Sequence, residues 1–255
     1  MTVRTYTEAR PASDLNEYVE CVWYRRVSPD EAERPARVLP DGCMDLIWVE
    51  HELVIAGPDT SAWTGNLARG DNIVGIRFHP GVAPALLGVP ATELRDRRTP
   101  VRLVSRDWAE DLDTRLSDRA DPRLIGDQLQ ASLQDRLRKL ADVDAAVQHV
   151  ASALRRSDPG VPNAVERMAE QIGLSERQLH RRCLDALGYG PKTLARIIRF
   201  QRFLSRAERR GPISMAWLAA DCGYADQAHL TREVKQLSGL PPARLLAERR
   251  LISNE

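Results

Sequence analysis

The feature that most constrains this chain is a duplication near its C-terminal end. Gly173 and Gly223 each close a short segment with Ala four residues earlier, Ala169 in MAEQIG and Ala219 in LAADCG. After each glycine a polar turn leads into a second amphipathic segment, SERQLHRRCLDALG from Ser175 and DQAHLTREVKQLSG from Asp226. The offset is 50 residues between the glycines and 51 from Leu179 to Leu230 and from Arg181 to Arg232. A small residue four before a turn glycine lets two helices approach closely, and glycine accepts the positive φ that a sharp turn needs. The pattern therefore predicts two helix-turn-helix units, able to offer two helices to adjacent major grooves of DNA from one chain.

The side chains sort accordingly. In the first unit Ala164, Val165, Met168, Ile172, Leu174, Leu179, Cys183 and Leu187 are spaced to face inward. In the second, Ile213, Trp217, Leu218, Ala220, Cys222, Leu230, Val234 and Leu237 do the same. Ser175 and Asp226 are N-cap residue types where the outer helices should begin. Arg177, Gln178, His180, Arg181 and Arg182 then point outward from the first, and Gln227, His229, Thr231, Arg232 and Lys235 from the second. These side chains can reach base edges and phosphates.

The stretch from about Val161 to Leu246 resembles the DNA-binding domain of the AraC/XylS family of bacterial transcription regulators. The matching pieces are LSERQLHRRC, GYGPKTLARIIRFQRFL and LAADCGYADQAHLTREVKQLSGLPP. The resemblance implies seven helices, a long one from about Pro191 to Arg210 bridging the two units, and RNA polymerase as a partner besides double-stranded DNA. It implies base contact from Arg177, His180 and Arg181, and from Gln227, Ala228, His229 and Arg232 on the second helix. Two departures stand out: Val234 where the family usually has an aromatic residue, and Ala228, which has no hydrogen-bonding group and could meet only a thymine methyl.

Charge divides the chain. Residues 161–255 hold sixteen Lys or Arg against ten Asp or Glu, a net of +6, while residues 1–160 carry −5. A near-neutral whole hides a basic end suited to DNA. Cys21, Cys43, Cys183 and Cys222 lie far apart without CxxC spacing, the N-terminus lacks a signal-peptide core, and no apolar run would span a bilayer. The expectation is a reduced, cytoplasmic protein.

The expected architecture is a two-domain α+β protein. Residues 1–120 form a β-rich sensory domain, 121–160 a helical connector, and 161–255 the all-α double helix-turn-helix. Strand candidates are VECVWYRRV, ARVLPDGCMDLIWV broken at Pro40-Asp41-Gly42, ELVIAG and NIVGIRF, with short helices at Val82–Leu87, Thr92–Asp96 and Ser105–Leu116. An antiparallel barrel or sandwich follows from one buried face. VLPDGCMDLIW, IAGPDT and VGIRFHPGVAPALLGVPATELRDRRTP resemble the N-terminal domain of unassigned function that often precedes AraC-type domains, which by family analogy implies a cupin-like barrel.

A small-molecule effector would find rigid walls in Trp23, Tyr24, Trp48 and Trp63, with Cys43 and Asp45 as polar groups after the Pro-Asp-Gly turn. Cys43 could instead sense thiol-reactive compounds, though DGCMDL offers no neighbouring cation to lower its pKa. Ordinary core tryptophans, or a domain that binds a partner protein, fit the same residues. His51 and His79 lack the HxH pattern of a metal-binding cupin, so neither metal nor cofactor is expected, and His79 reads as a polar turn residue. Without a phosphate loop, GxSxG or nucleophile–base set, an enzyme is not indicated. An alkyl-transfer repair enzyme carrying an AraC-like segment would need a Pro-Cys-His site that this chain lacks.

In the connector Asp121-Pro122 opens a helix and Asp158-Pro159-Gly160 ends it, with Asp142 available to cap a second. Leu133, Leu140, Val147 and Leu154 fall seven apart, with Val143 and Val150 between them. That spacing fits a coiled-coil seam of a homodimer and equally a helix packed on its own domain.

Overall fold

The computed structural model describes residues 6–27, 36–65, 72–116, 121–138, 140, 143–157, 163–209 and 214–253. It has the two-domain α+β architecture expected. A six-stranded antiparallel sheet is built from β1 (Tyr6–Ala9), β2 (Val19–Arg26), β4 (Met44–Val49), β5 (Glu52–Ala56), β7 (Asn72–Phe78) and β8 (Arg98–Pro100), in the order β1-β2-β7-β4-β5-β8. A separate ribbon pairs β3 (Ala36–Val38) with β6 (Trp63–Gly65). The sheet is open, with β1 and β8 as its edges, so the barrel reading is corrected. Helices, not a closing sheet, cover its most apolar face. Met44, Leu46 and Trp48 of β4 and Val74, Ile76 and Phe78 of β7 share one core with Trp108, Leu112 and Leu116 of α3 (Arg106–Leu116) and Ile125, Leu129 and Leu133 of α4 (Pro122–Leu137).

The period-2 alternation of β4 sends Ile47 and Val49 to the other face, where Cys21, Trp23, Val27 and Ile73 make a smaller cluster. The β4–β5 hairpin pairs Val49 with Glu52 across a two-residue turn in which Glu50 and His51 both have positive φ, 49° and 60°. Such primed turns follow the strand twist, yet they favour Asn-Gly over Glu-His. Two short helices, α1 (Val82–Leu87) and α2 (Ala91–Leu94), come between β7 and β8.

The connector is two helices that belong to different cores. Asp121 caps α4, accepting from Arg123 N, and Asp144 caps α5 (Ala145–Arg156), accepting from Ala146 N and Val147 N. Leu133 is fully buried in the sheet core, with Leu140 and Val143 against it, whereas Val147, Val150 and Leu154 are buried in the C-terminal core. The heptad is therefore split between two interiors and is not free to form an intermolecular seam. Arg136, at the remaining heptad position, lies over the Trp108 ring, 4.6 Å from its centroid. Asp142 and Asp158-Pro159-Gly160 lie outside the described residues.

Seven helices, α5 to α11, make the C-terminal unit among the described residues: α6 (Ala164–Gln171), α7 (Glu176–Leu187), α8 (Pro191–Arg209), α9 (Met215–Asp221), α10 (Gln227–Ser238) and α11 (Pro242–Ser253) follow α5. The segment before β4 joins the two units. Leu39 packs against the C-terminal core, Gln201 Nε2 donates to Pro40 O at 2.6 Å, and Gly42, at φ 86°, lies where a Cβ would stand 3.1 Å from Leu194 Cδ1. Among the described residues no helix is long and apolar enough to cross a membrane.

The hairpin supplies a test. Glu50→Asn with His51→Gly should stabilise the fold by about 0.5–1 kcal/mol, because the turn would gain residues suited to positive φ. Urea denaturation should show a higher midpoint with an unchanged slope.

Candidate nucleic-acid interface

The two helix-turn-helix units are built by the same local bonds. In the first, Gly173 N donates to Glu170 O at 3.0 Å and Leu174 N to Ala169 O at 2.9 Å. In the second, Gly223 N donates to Ala220 O at 3.2 Å and Tyr224 N to Ala219 O at 2.8 Å. Both glycines are left-handed, at φ 68° and 78°, and Ala169 and Ala219 are each 1% exposed. The turn carbonyls are thus satisfied in a left-handed helix exit that a larger residue would strain.

Each outer helix then starts on a cap. Ser175 accepts from Gln178 N, and the Gln178 side-chain oxygen accepts from Ser175 N at 2.9 Å, a complete capping box. Asp226 accepts from His229 N at 2.6 Å. Leu179, Cys183 and Leu187 of α7 and Leu230, Val234 and Leu237 of α10 are buried in one common core. Val234 is fully buried there despite its small size.

Arg177, Gln178, His180, Arg181 and Arg182 are exposed along α7, as are Gln227, Ala228, Arg232 and Lys235 along α10. Among the described residues, Arg177, Arg181 and Arg232 form no ion pair, which leaves their guanidinium groups available to base edges or phosphates. Arg182 is 3.4 Å from Asp144. The Gln178 oxygen is committed to its cap, so only its amide donors face outward. His180 is exposed, but its ring rests on Gly190, where a Cβ would come within 2.5 Å. His229 is half-buried, edge-on to the Tyr224 ring at 5.4 Å, with Nδ1 accepting from Ala225 N. Thr231 donates its hydroxyl to Gln227 O. His229 and Thr231 therefore brace α10 as well as flanking its outer face.

Two inward placements are corrected. Trp217 is 38% exposed and Ala220 is exposed. The α9 helix is only seven residues long and offers its neighbours the Leu218–Ala219 edge, which turns both flanking positions toward solvent. Ile213 lies outside the described residues.

Sequence reasoning missed Glu233, which is 5% exposed inside a basic helix. Arg199 donates to both its oxygens, at 3.0 and 2.7 Å, and Arg196 Nε adds a third bond at 3.1 Å. The Arg199 guanidinium also lies 4.9 Å from the Tyr224 ring centroid. Glu233 thereby anchors α10 to α8 and neutralises two arginines that composition alone would assign to DNA. The only signal was a lone acid amid cations, with Arg196 and Arg199 one turn apart.

The aromatic set proposed for a ligand is not assembled. Trp23 packs over Gly75 and donates to Asp45 at 3.3 Å on one sheet face. Tyr24 and Trp48 are on the other, Tyr24 against Gly126 of α4. Trp63 sits on the separate ribbon under Arg98, whose guanidinium is 5.0 Å from the ring centroid. Asp45 is buried with Arg77, and burial pushes its carboxyl up to about 6 against the pull of that cation. Cys43 does gain a cation, Arg155 Nη2 at 3.1 Å, but also Glu20 at 3.2 Å. Burial and then Asp41 and Glu20 hold the thiol well above its ordinary pKa, so neither exposure nor a stabilised thiolate favours a sensing role. The space lined by Met44, Pro58, His79, Pro80, Ala83, Ala186 and Leu187, between the two units, measures about 10 Å³, room for about one water. His79 donates its backbone N–H to Tyr18 O, and its ring contacts Asn16 O, as a turn residue does.

Residues 168–248, which include both turn glycines and both outer helices, match the family model described as a helix-turn-helix domain. Residues 7–100 match a domain of unknown function, DUF6597. No curated protein matches the chain. Among solved structures, a probable AraC family transcriptional regulator from Rhodopseudomonas palustris CGA009 is 22% identical over 40% of this chain and 95% of its own, with a TM-score of 0.37. ToxT from Vibrio cholerae O395 aligns over 96% of this chain and 98% of its own, at 10% identity and a TM-score of 0.47. Unsaturated fatty acid bound wild-type ToxT from Vibrio cholerae strain SCE256 aligns over 95% and 93%, at 10% identity and a TM-score of 0.42. The reading of the C-terminal unit rests on the family match and the duplicated geometry.

Glu233→Ala should lower stability by roughly 2 kcal/mol, because it strands two half-buried guanidinium groups. Glu233→Gln should cost less. Urea denaturation of both variants against the parent measures the order.

Proposed function

We propose, from the AraC-type double helix-turn-helix domain that ends this chain, that the protein is a sequence-specific DNA-binding transcriptional regulator. The observation that carries the reading is the repeat of one geometry at an offset of 50 to 51 residues, each copy presenting on a capped helix at least one arginine, Arg177 and Arg181 or Arg232, that forms no ion pair among the described residues. In this reading Arg177, Gln178 and Arg181 address one major groove and Gln227, Ala228 and Arg232 the next, with His180, His229 and Thr231 beside them. Arginine supplies bidentate donors to guanine, and Ala228 restricts its own position to apolar contact with thymine. The role of the chain is binding rather than catalysis, and RNA polymerase is the further partner that regulation requires.

Control by a small molecule held in the N-terminal domain is the finer part of the proposal. What supports it is that the N-terminal unit touches the helix-turn-helix unit directly, through Leu39, Pro40 and Gly42. A ligand that contacts two arrangements of that joint unequally would change DNA affinity by the difference.

Duplexes enriched by the intact protein from a random library supply the test. Arg181→Ala and Arg232→Ala should each weaken binding to the enriched sequence by about 1–3 kcal/mol while binding to random duplex changes little. Equal losses on both duplexes would reassign that arginine to phosphate contact, and failure to enrich any sequence would overturn the reading.

A further inference from the structure

The two outer helices end alike, and the same chemistry meets both ends. Gly188 and Gly239, again 51 residues apart, terminate α7 and α10 in left-handed conformation, at φ 77° and 76°. The last carbonyls of a helix carry its negative end and lack internal partners. At α7, Arg95 Nη1 donates to Gly188 O at 2.9 Å. At α10, Arg37 Nη1 donates to Ser238 O at 3.0 Å, while Arg37 Nε pairs with Glu248 of α11 at 2.9 Å. Both arginines come from the N-terminal unit, from places far apart within it. Arg37 is on β3, opposite Thr64 of β6. Arg95 follows α2 in a segment fixed by Gly57 N to Arg97 O at 2.9 Å and Asp96 N to Pro58 O at 3.2 Å.

Packing reinforces the grip at α7. A Cβ on Gly188 would stand 2.9 Å from Ala91 O and 3.0 Å from Pro58, so the helix end is pressed against α2. The opposite ends of both helices, where Glu176, Arg177, Gln227 and Ala228 lie, stay exposed. The N-terminal unit thus spans the two helix-turn-helix units on the side away from the helix starts.

We propose that Arg37 and Arg95 are positioning residues: by holding the C-terminal ends of both recognition helices, they fix the separation of the two helices and so set the half-site spacing that the protein accepts. The inference rests on the DNA-binding reading for its second half only. The bridging helix α8 and the apolar core it shares with both units limit how far they can separate. The two arginines add a tie through another body, at the far ends of the two helices, where it narrows the residual relative rotation that side-chain packing alone allows. The spacing rule is thereby assigned to the N-terminal unit rather than to the helices that carry Arg181 and Arg232.

Two measurements test it on the intact chain. Spin labels at Glu176→Cys and Ala228→Cys, with the four native thiols buried, report the distance between the helix starts without DNA. The parent should give a narrow distribution, and the Arg37→Ala/Arg95→Ala variant a broad one. Arg95→Lys, which keeps a cationic donor for Gly188 O, should restore most of the sharpness, whereas a general loss of fold would not be rescued. An unchanged distribution overturns the proposal.

The second measurement uses the enriched duplex with its two half-sites moved apart by one base pair. The parent should lose about tenfold in affinity, as for a mismatched contact, and the double alanine variant about threefold or less. Equal spacing penalties overturn the proposal, as does tighter binding by the variant at every spacing, which would make the contacts inhibitory. A failure to enrich any duplex would remove the DNA reading while leaving the distance measurement able to judge the clamp.

Discussion

The C-terminal unit depends on the burial of α8 from several sides at once. Leu194, Ile197, Ile198, Phe200, Phe203, Leu204 and Ala207 are all buried along it, more of its circumference than a one-sided amphipathic helix would bury. The first unit adds Leu179 and Leu187 to the core that α8 runs through, the second adds Leu230 and Leu237, and Leu39 of the sheet domain packs against that core. Because all these residues belong to one contiguous core, the two helix-turn-helix units are not beads on a linker. Movement of either would have to uncover apolar surface shared with the other, at about 25 cal/mol per Å².

Against that apolar spine, electrostatics decides which cations remain for a partner. Composition shows an arginine-rich chain, but the structure spends many of those charges internally. Arg196 and Arg199 go to Glu233, Arg206 to Asp221, and Arg155 to Cys43 and Glu20. Exposed pairs of this kind add little stability, whereas the Glu233 pairing is buried enough to fix geometry. Arg177, Arg181 and Arg232 stand apart because no acid reaches them among the described residues. Their availability is a matter of placement on the outward faces of two capped helices, which charge counts cannot express.

Much of this was legible in the sequence because local chemistry decided it. The turn glycines with Ala169 and Ala219 and the caps Ser175 and Asp226 all depend on residues a few positions apart, while the long α8 over Pro191–Arg209 was expected only from the family resemblance. The strands β2, β4, β5 and β7 were legible by alternation and β-branched content. What escaped was set at long range. The short β1, β6 and β8 have no periodicity of their own and exist because a neighbour pairs with them. Whether the sheet closes depends on what covers it, and α4 covers it through Gly126 against Tyr24, a contact no spacing announces. The heptad of Leu133 and Val147 was real as periodicity, yet two separate cores use it. The candidate ligand walls failed for a related reason: adjacent strand residues Trp23 and Tyr24 must point to opposite faces. Glu233, Arg37 and Arg95 find partners 34 to 211 residues away.

The packing of Leu39 against the C-terminal core has a consequence for how such a protein can change over evolutionary time. Sensor and reader domains are commonly pictured as cassettes, exchanged at a linker. Here the C-terminal core is flanked by a residue encoded before most of the N-terminal sheet. The adjacent Pro40 carbonyl receives Gln201, and the backbone at Gly42 leaves room for Leu194. A foreign domain grafted ahead of α5 would deprive the C-terminal unit of that side chain and that acceptor. Change in the N-terminal unit is therefore reached more readily by substitution within the existing sheet than by recombination, with the segment from Leu39 to Gly42 carried along unchanged.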